Sequence, residues 1–336
     1  MSEIRVDNIT DEAGTGRPDF SNGIKTPNIN GGQVGGRRNV LINGDFQVSQ
    51  RGDFTSPTTV TNGNYYLDRW GNFQLGASST VEDKGKNLRI EVSSGGTGQV
   101  SARQKIEPEN VEYFVNQKVT LSAKIKSNSS NARLLLFAND SFLPVVSGND
   151  SHSGGGTEEF LSATFDFPSS AGNLVQALAG IDGEQRSDVS LSAGDYIEIR
   201  EVQLEVGDTA TEFEHRSYGE ELALCQRYYQ QFNGNSSSTA ANIFIGIIPN
   251  TSTVRHAILL SPLMRTAPSL SVEGLNAGNI TVDVVGAHIT LDAFAILDTT
   301  SEKLSFEFSG PLSSHVGEPG ITTLDDGSKL MIDAEL

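Results

Sequence analysis

The sequence predicts an all-β protein: an extended N-terminal arm, a jelly-roll β-sandwich, one short linking helix and a small C-terminal β-sandwich. Three observations predict it. Hydrophobic residues make up 36% of the 336 positions and Gly supplies 35 of them, a mixture that suits short strands and tight turns better than helical bundles. Apolar residues recur at every second position in several runs, the spacing of a strand with one buried face. Gly, Asn, Asp and Pro punctuate those runs at intervals of about 8–12 residues.

Residues 1–36 form the first unit. "EIRVDNI" sets Ile4 and Val6 in alternation, and a Gly-, Asn- and Pro-rich stretch follows. So short a segment buries no core of its own. It is either a disordered tail or an arm that orders on a partner or on copies of itself.

Residues 37–216 read as one sandwich. "NLRIEVSS" puts Leu88, Ile90 and Val92 on one face, and "VTLSAKIKS" does the same with Val119, Leu121, Ala123 and Ile125. "FLSATFDF" aligns Leu161, Ala163, Phe165 and Phe167, and "RLLLFAN" is apolar throughout, as a fully buried strand is. In "YIEIREVQLEVG" the apolar phase switches between Ile199 and Val202, which predicts a bulge near Arg200–Glu201.

Residues 217–232 read as helix, leading through a linker to residue 235. Tyr218, Leu222, Cys225, Tyr229 and Phe232 follow a heptad spacing. Ser217 and Glu220 have the positions of a capping box, and Asn-Gly-Asn ends the run. A helix this short needs its apolar stripe covered. The stripe packs either on its own sandwich or on parallel copies about an axis. Residues 236–336 then read as a second small sandwich, with "IFIGII", "RHAILL", "SLSVEGL", "NITVDVV", "HITLDAFAIL", "KLSFEFSG" and "KLMIDAEL" as its strands.

A net charge of −18 repels phosphate backbones and argues against nucleic-acid binding. Cys225 stands alone, so no intrachain disulfide forms, and the cysteine usage fits assembly in a reducing cytoplasm. "MSEIRVDN" has no secretory pattern, and no apolar run is long enough to span a membrane.

Catalytic motifs are missing from the sequence. His152, His215, His256, His288 and His315 form no tight metal-ligand pair and read as surface or turn residues. The sequence shows no nucleophile elbow and no phosphate-binding glycine loop. Cys225 lies on the predicted seam and reads as packing. Arg51–Asp53 spell Arg-Gly-Asp and read as a turn. "GNDSHSGGGTEE" fails the calcium-loop pattern and reads as a flexible surface loop. No cofactor is expected beyond a structural Ca²⁺ between Asp45 and Glu205. "GNYYLDRWGNF" concentrates aromatics. Trp70 reads as core, Arg69 as paired with a carboxylate, and Tyr65, Tyr66 and Phe73 as candidate platforms for stacking a sugar ring.

Several of these stretches resemble bacteriophage tail-fibre and tail-appendage proteins. "EIRVDNITDEAGTGRPDFSNGI" at 3–24 is similar to their N-terminal segment. "NVLINGDFQVSQRG" and "YYLDRW" resemble the opening of their carbohydrate-binding-module-like jelly roll. "YIEIREVQLEVGDTATEFEHRSYGEELALCQRYYQ" at 196–230 resembles its closing strand and following helix, and "LLSPLMRTAPSLSV" and "DAEL" their distal domain. The resemblance implies a homotrimeric virion fibre, assembled in the host bacterial cytoplasm. Residues 1–36 would dock on a tail adaptor, tube or baseplate protein, and the last domain would be the receptor-binding tip. The receptor would be a host-surface glycan or an outer-membrane protein, bound without catalysis and without membrane insertion. On a threefold axis Leu222, Cys225, Tyr229 and Phe232 would face the other copies. The alternative is a carbohydrate-active enzyme carrying a sugar-binding accessory module.

Overall fold

Leu88, Ile90 and Val92, like Val119, Leu121, Ala123 and Ile125, turn inward from their strands and are withdrawn from water. The computed structural model describes residues 28–29, 32–33, 37–233, 243–275, 279–325 and 327–335, and it stacks these strands in an antiparallel sandwich. One sheet runs Ser141–Phe142, Ala132–Ala138, Val175–Ile181, Gly96–Ile106, Trp70–Leu75, Tyr65–Leu67, with Val189–Leu191 also paired to Gly96–Ile106. The other runs Val145–Asn149, Glu158–Asp166, Lys118–Ser127, Tyr196–Val206, Leu88–Ser94, Ser78–Asp83, Thr58–Thr59. The chain passes between sheets from Gly96–Ile106 to Lys118–Ser127 to Ala132–Ala138, the interleaving of a jelly roll.

Trp70 anchors this core as expected. It is fully buried, its Nε1 donates to the Asn43 carbonyl at 2.8 Å, and its ring centroid lies 5.1 Å from that of Phe46. The bulge also falls where the phase switch put it. Pairing with Lys118–Ser127 shifts register between Arg200 and Gln203, and Glu201 takes φ 53°.

The helix is shorter than the sequence pattern indicates. It spans Tyr218–Gln226, with the Ser217–Glu220 capping box in place. Tyr229 and Phe232 lie instead on a strand, Tyr229–Asn233, which pairs with Lys329–Asp333. A continuous ladder to that strand outweighs the helical tendency of these residues. The heptad of Leu222, Cys225, Tyr229 and Phe232 is therefore not one helical seam. Cys225 packs with Ile42, Val48 and Tyr228, with Leu222 at the margin, while Phe232 joins the second module's core. Glu221 is buried beneath the helix, where it accepts from the Asn43 N–H at 2.5 Å and from Arg216 at 3.3 Å. The helix thus docks on the residues that open the sandwich.

The second module pairs a three-stranded sheet (Tyr229–Asn233, Lys329–Asp333, Ser269–Glu273) with a seven-stranded one. The latter runs Ala287–Thr290, Ile280–Val284, Pro319–Leu324, Ile243–Ile247, Thr253–Leu259, Lys303–Ser309, Ala293–Thr299. "HITLDAFAIL" is two strands here, not one, and Pro319–Leu324 is a strand the pattern missed. Among the first 36 residues, Asn28–Ile29 pairs with Gly32–Gln33, and the expected strand at Ile4–Val6 lies outside the described residues.

Two histidines read as surface residues are buried. His152 pins the loop expected to be flexible: its Nε2 meets the Thr157 carbonyl at 2.8 Å, and its Nδ1 accepts from the Gly154 N–H at 2.8 Å. His256 sits among Phe244, Phe306 and Phe308, with Nε2 3.1 Å from the Thr322 hydroxyl.

The modules meet at a buried ion cluster. Glu335 holds both Arg69, as an ion pair, and Arg51 at 3.2 Å, and Arg51 also holds Asp333 at 2.9 Å. Arg69 stacks on Tyr228 at 3.6 Å and Arg51 on Tyr229 at 3.9 Å. Arg69 thus has the carboxylate partner expected of it. Arg51 is no mere turn residue, because it ties positions 282 residues apart.

Two outcomes follow from this packing. Burial pushes the His256 pKa down to about 4, so the unfolded chain takes up a proton that the folded chain refuses. The associated stability is complete above pH 6.5, declines as pH falls, and is lost below about 4, a total of about 3 kcal/mol. Urea unfolding of the second module across pH 4–7 should show this slope, and His256→Leu should flatten it. Second, Glu335→Ala takes from buried Arg69 its carboxylate and leaves Arg51 with Asp333 alone, and should cost about 3–5 kcal/mol. Calorimetry should then resolve separate transitions for the two modules.

Candidate functional site

The outward face of the sheet containing Lys118–Ser127 is a network of paired charges. Arg200 reaches Glu158 and Glu201, each at 2.6 Å, Lys124 reaches Glu201 at 2.6 Å, and Arg89 reaches Glu198 at 2.6 Å. Arginine hydrogen bonding, the leading cause, lowers the Glu158 pKa. One apolar side chain interrupts the charges. Phe160 stands opposite Lys124 in the pairing and is 54% exposed.

The bulge at Glu201 turns its carboxylate toward Lys124, and the segment 207–216 then runs back over the sheet as a strap. Two buried outward residues hold the strap. Glu205 accepts from the Thr211 N–H at 2.8 Å and the Thr211 hydroxyl at 2.7 Å, and Gln203 accepts from the Glu214 N–H at 2.9 Å. Arg38 donates to Thr211 at 3.1 Å from the outer side.

Strap and sheet enclose a groove of about 440 Å³. Phe160 forms one wall. Phe213 and His215, edge to face with centroids 5.0 Å apart, form the other. Ser122, Lys124, Glu201 and Thr211 supply donors and acceptors between them. An adjoining hollow of about 200 Å³ shares Glu201 and His215 and extends to Asp45 and Lys86. Rings flanking a polar floor accept a ligand with apolar C–H faces and a rim of hydroxyls.

The aromatics singled out in the sequence lie elsewhere. Tyr66 belongs to the sandwich core and offers no surface to a ligand, because its strand position points inward. Tyr65 and Phe73 do share the outer face of the other sheet, through their pairing with Gly71 and Ser101. Both are engaged there: Arg186 covers Phe73 at 3.5 Å, and Arg51 lies 5.2 Å from the Tyr65 ring. Of the histidines in the second module, His256 is in the core, while His288 pairs with Asp283 and His315 with Glu318.

Asp45 and Glu205 do not fit a shared calcium ion. Both carboxylate oxygens of Glu205 are taken by Gln203 and Thr211, and Asp45 faces Lys86 at 3.9 Å. Among the described residues no group of three or more His, Cys, Asp or Glu side chains could hold a metal ion. No helix among them is long and apolar enough to cross a membrane.

No protein-family model matches the sequence, and no curated protein matches it significantly. Solved structures give faint likenesses. A structure titled "CBM4 structure and function" is 18% identical, covers 49% of this chain and 97% of its own, and has a TM-score of 0.31. The enzymatically active domain of bacteriophage CBA120 tailspike protein 4 is 15% identical over 50% of this chain, with a TM-score of 0.31. The match spans 21% of that tailspike chain. The CBM22-1–CBM22-2 tandem of Paenibacillus barcinonensis Xyn10C is 10% identical, covers 85% of this chain and 98% of its own, and has a TM-score of 0.29. Scores this low carry no conclusion about ligand or activity.

The strap depends on Glu205. Glu205→Ala leaves the Thr211 donors without their buried acceptor, at a cost of about 1–3 kcal/mol. Hydrogen exchange at the Thr211 amide should accelerate roughly 10- to 100-fold, with the paired strands of the sandwich unaffected.

Proposed function

We propose that this chain is a subunit of a homotrimeric phage tail fibre that recognises a host-surface glycan and does not cleave it. The observation that carries the glycan reading is the groove between Phe160 and the Phe213–His215 pair, with its mixed polar floor. The tail-fibre part draws support from the stretches at 3–24, 39–52 and 196–230 that resemble such proteins. In this reading residues 1–36 attach to the tail and the groove lies on the shaft module.

The charges favour a neutral saccharide. Each lysine or arginine at the groove and its adjoining hollow already faces a carboxylate: Lys124 on Glu201, Arg200 on Glu158 and Glu201, Lys86 on Asp45. An acidic sugar would have to displace one of these partners, while a neutral pyranose needs only the rings and the hydrogen-bonding floor.

The test is retention of bacterial surface polysaccharides by the purified protein, followed by product analysis. The wild type should retain a neutral polysaccharide and release no shortened chains. Phe160→Ala should weaken retention about tenfold or more, the value of one lost stacking surface. Unchanged retention by that variant would move the site elsewhere, and steady release of oligosaccharides would replace recognition with catalysis.

A further inference from the structure

In the seven-stranded sheet of the second module, one face packs on the three-stranded sheet and the other faces outward. Phe244 and Gly246 point into the core, so Ile245 and Ile247 between and after them point away. Ile245 stands directly opposite Ile321 on the neighbouring strand, and Leu259 follows on the far side. These side chains are 73% (Ile245), 56% (Ile247), 41% (Ile321) and 85% (Leu259) exposed. In a chain of net charge −18, an outward sheet face would ordinarily carry polar residues, as the charge network of the first module does.

We infer that this face is the contact between copies of the chain, which rests on the proposed homotrimeric assembly and names the surface that makes it. Two features point to a like chain as the occupant. The first is area. Seven strands about 4.8 Å apart, rising about 3.3 Å per residue, present a face on the order of 600 Å² in projection. That approaches the roughly 800 Å² per partner of a stable specific contact. The second is charge. Arg255 and Glu307 lie side by side beside the isoleucines, 2.9 Å apart. The face carries charges of both signs, Arg255 and Lys303 beside Glu307, Asp283 and Asp298, and a facing copy can set its Glu307 against Arg255. Elsewhere the shared negative charge pushes copies apart, which confines association to this strip.

Of the four heptad residues, Cys225 and Tyr229 are already buried within their own chain. The sheet face takes over the role that the heptad spacing assigned to them.

Sedimentation of the full chain tests the inference. The wild type should run at three times the chain mass. Ile245→Glu and Ile321→Lys each place an unpaired charge in the contact and should weaken association by roughly 100-fold or more. Because both side chains point away from the core, circular dichroism and the melting profile of the first module should not change. Arg255→Glu should weaken association, and adding Glu307→Arg should restore it. A trimer that survives both isoleucine variants would show that the contact lies on another face. A wild type that sediments as a single chain would overturn the assembly itself, along with this surface.

Discussion

One carboxylate shared by two arginines governs how this molecule is put together. Glu335 lies out of water between Arg51 and Arg69, which come from the opening turns of the sandwich. A buried charge without a partner is costly, so neither module presents this surface comfortably without the other. Arg69 sits in the left-handed region, at φ 70°, where the hairpin between Tyr65–Leu67 and Trp70–Leu75 turns its guanidinium out of the sandwich. The tyrosines at the start of the second module then close over both cations. The short helix belongs to the same junction. Buried Glu221 ties it to Asn43, whose carbonyl receives Trp70, so the helix, the core and the inter-module contact share one set of residues.

The groove arises from a different economy. A regular strand would have carried Glu201 inward or left it within the ladder; the bulge brings it out beside Lys124. Beyond the bulge, Gln203 and Glu205 face outward yet are fully buried, because the strap lies over them and uses their side chains as its anchors. Backbone irregularity, buried polar anchors and an aromatic-walled groove are therefore consequences of one another. Pairing with carboxylates occupies Lys124 and Arg200 beside the groove and leaves its floor polar.

Strands with strict alternation, such as Leu88–Ser94 and Lys118–Ser127, were legible because one residue in two had to be apolar. Val175–Ile181 was not, since it is buried on both faces and carries no period. Tyr229–Asn233 read as helix because its partner lies a hundred positions further on, and no local pattern encodes that pairing. The same distance hid the role of Arg51. Of the candidate site, Phe160 had a signal: an aromatic at the outward position of an alternating strand. Phe213 and His215 had none, since their place depends on where the strap is tethered. The aromatic cluster around Trp70 pointed correctly to the core but exaggerated what remained for a ligand, since Tyr66 went inside with it.

Cys225, the only thiol in the chain, is sealed beneath the helix against Ile42, Val48 and Tyr228, and burial raises its pKa well above the ordinary thiol range. It is therefore a silent chemical clock. Thiol reagents can mark it only in molecules whose helix has lifted from the sandwich, so the rate of labelling counts the openings of the inter-module junction in a chain that needs no engineered probe.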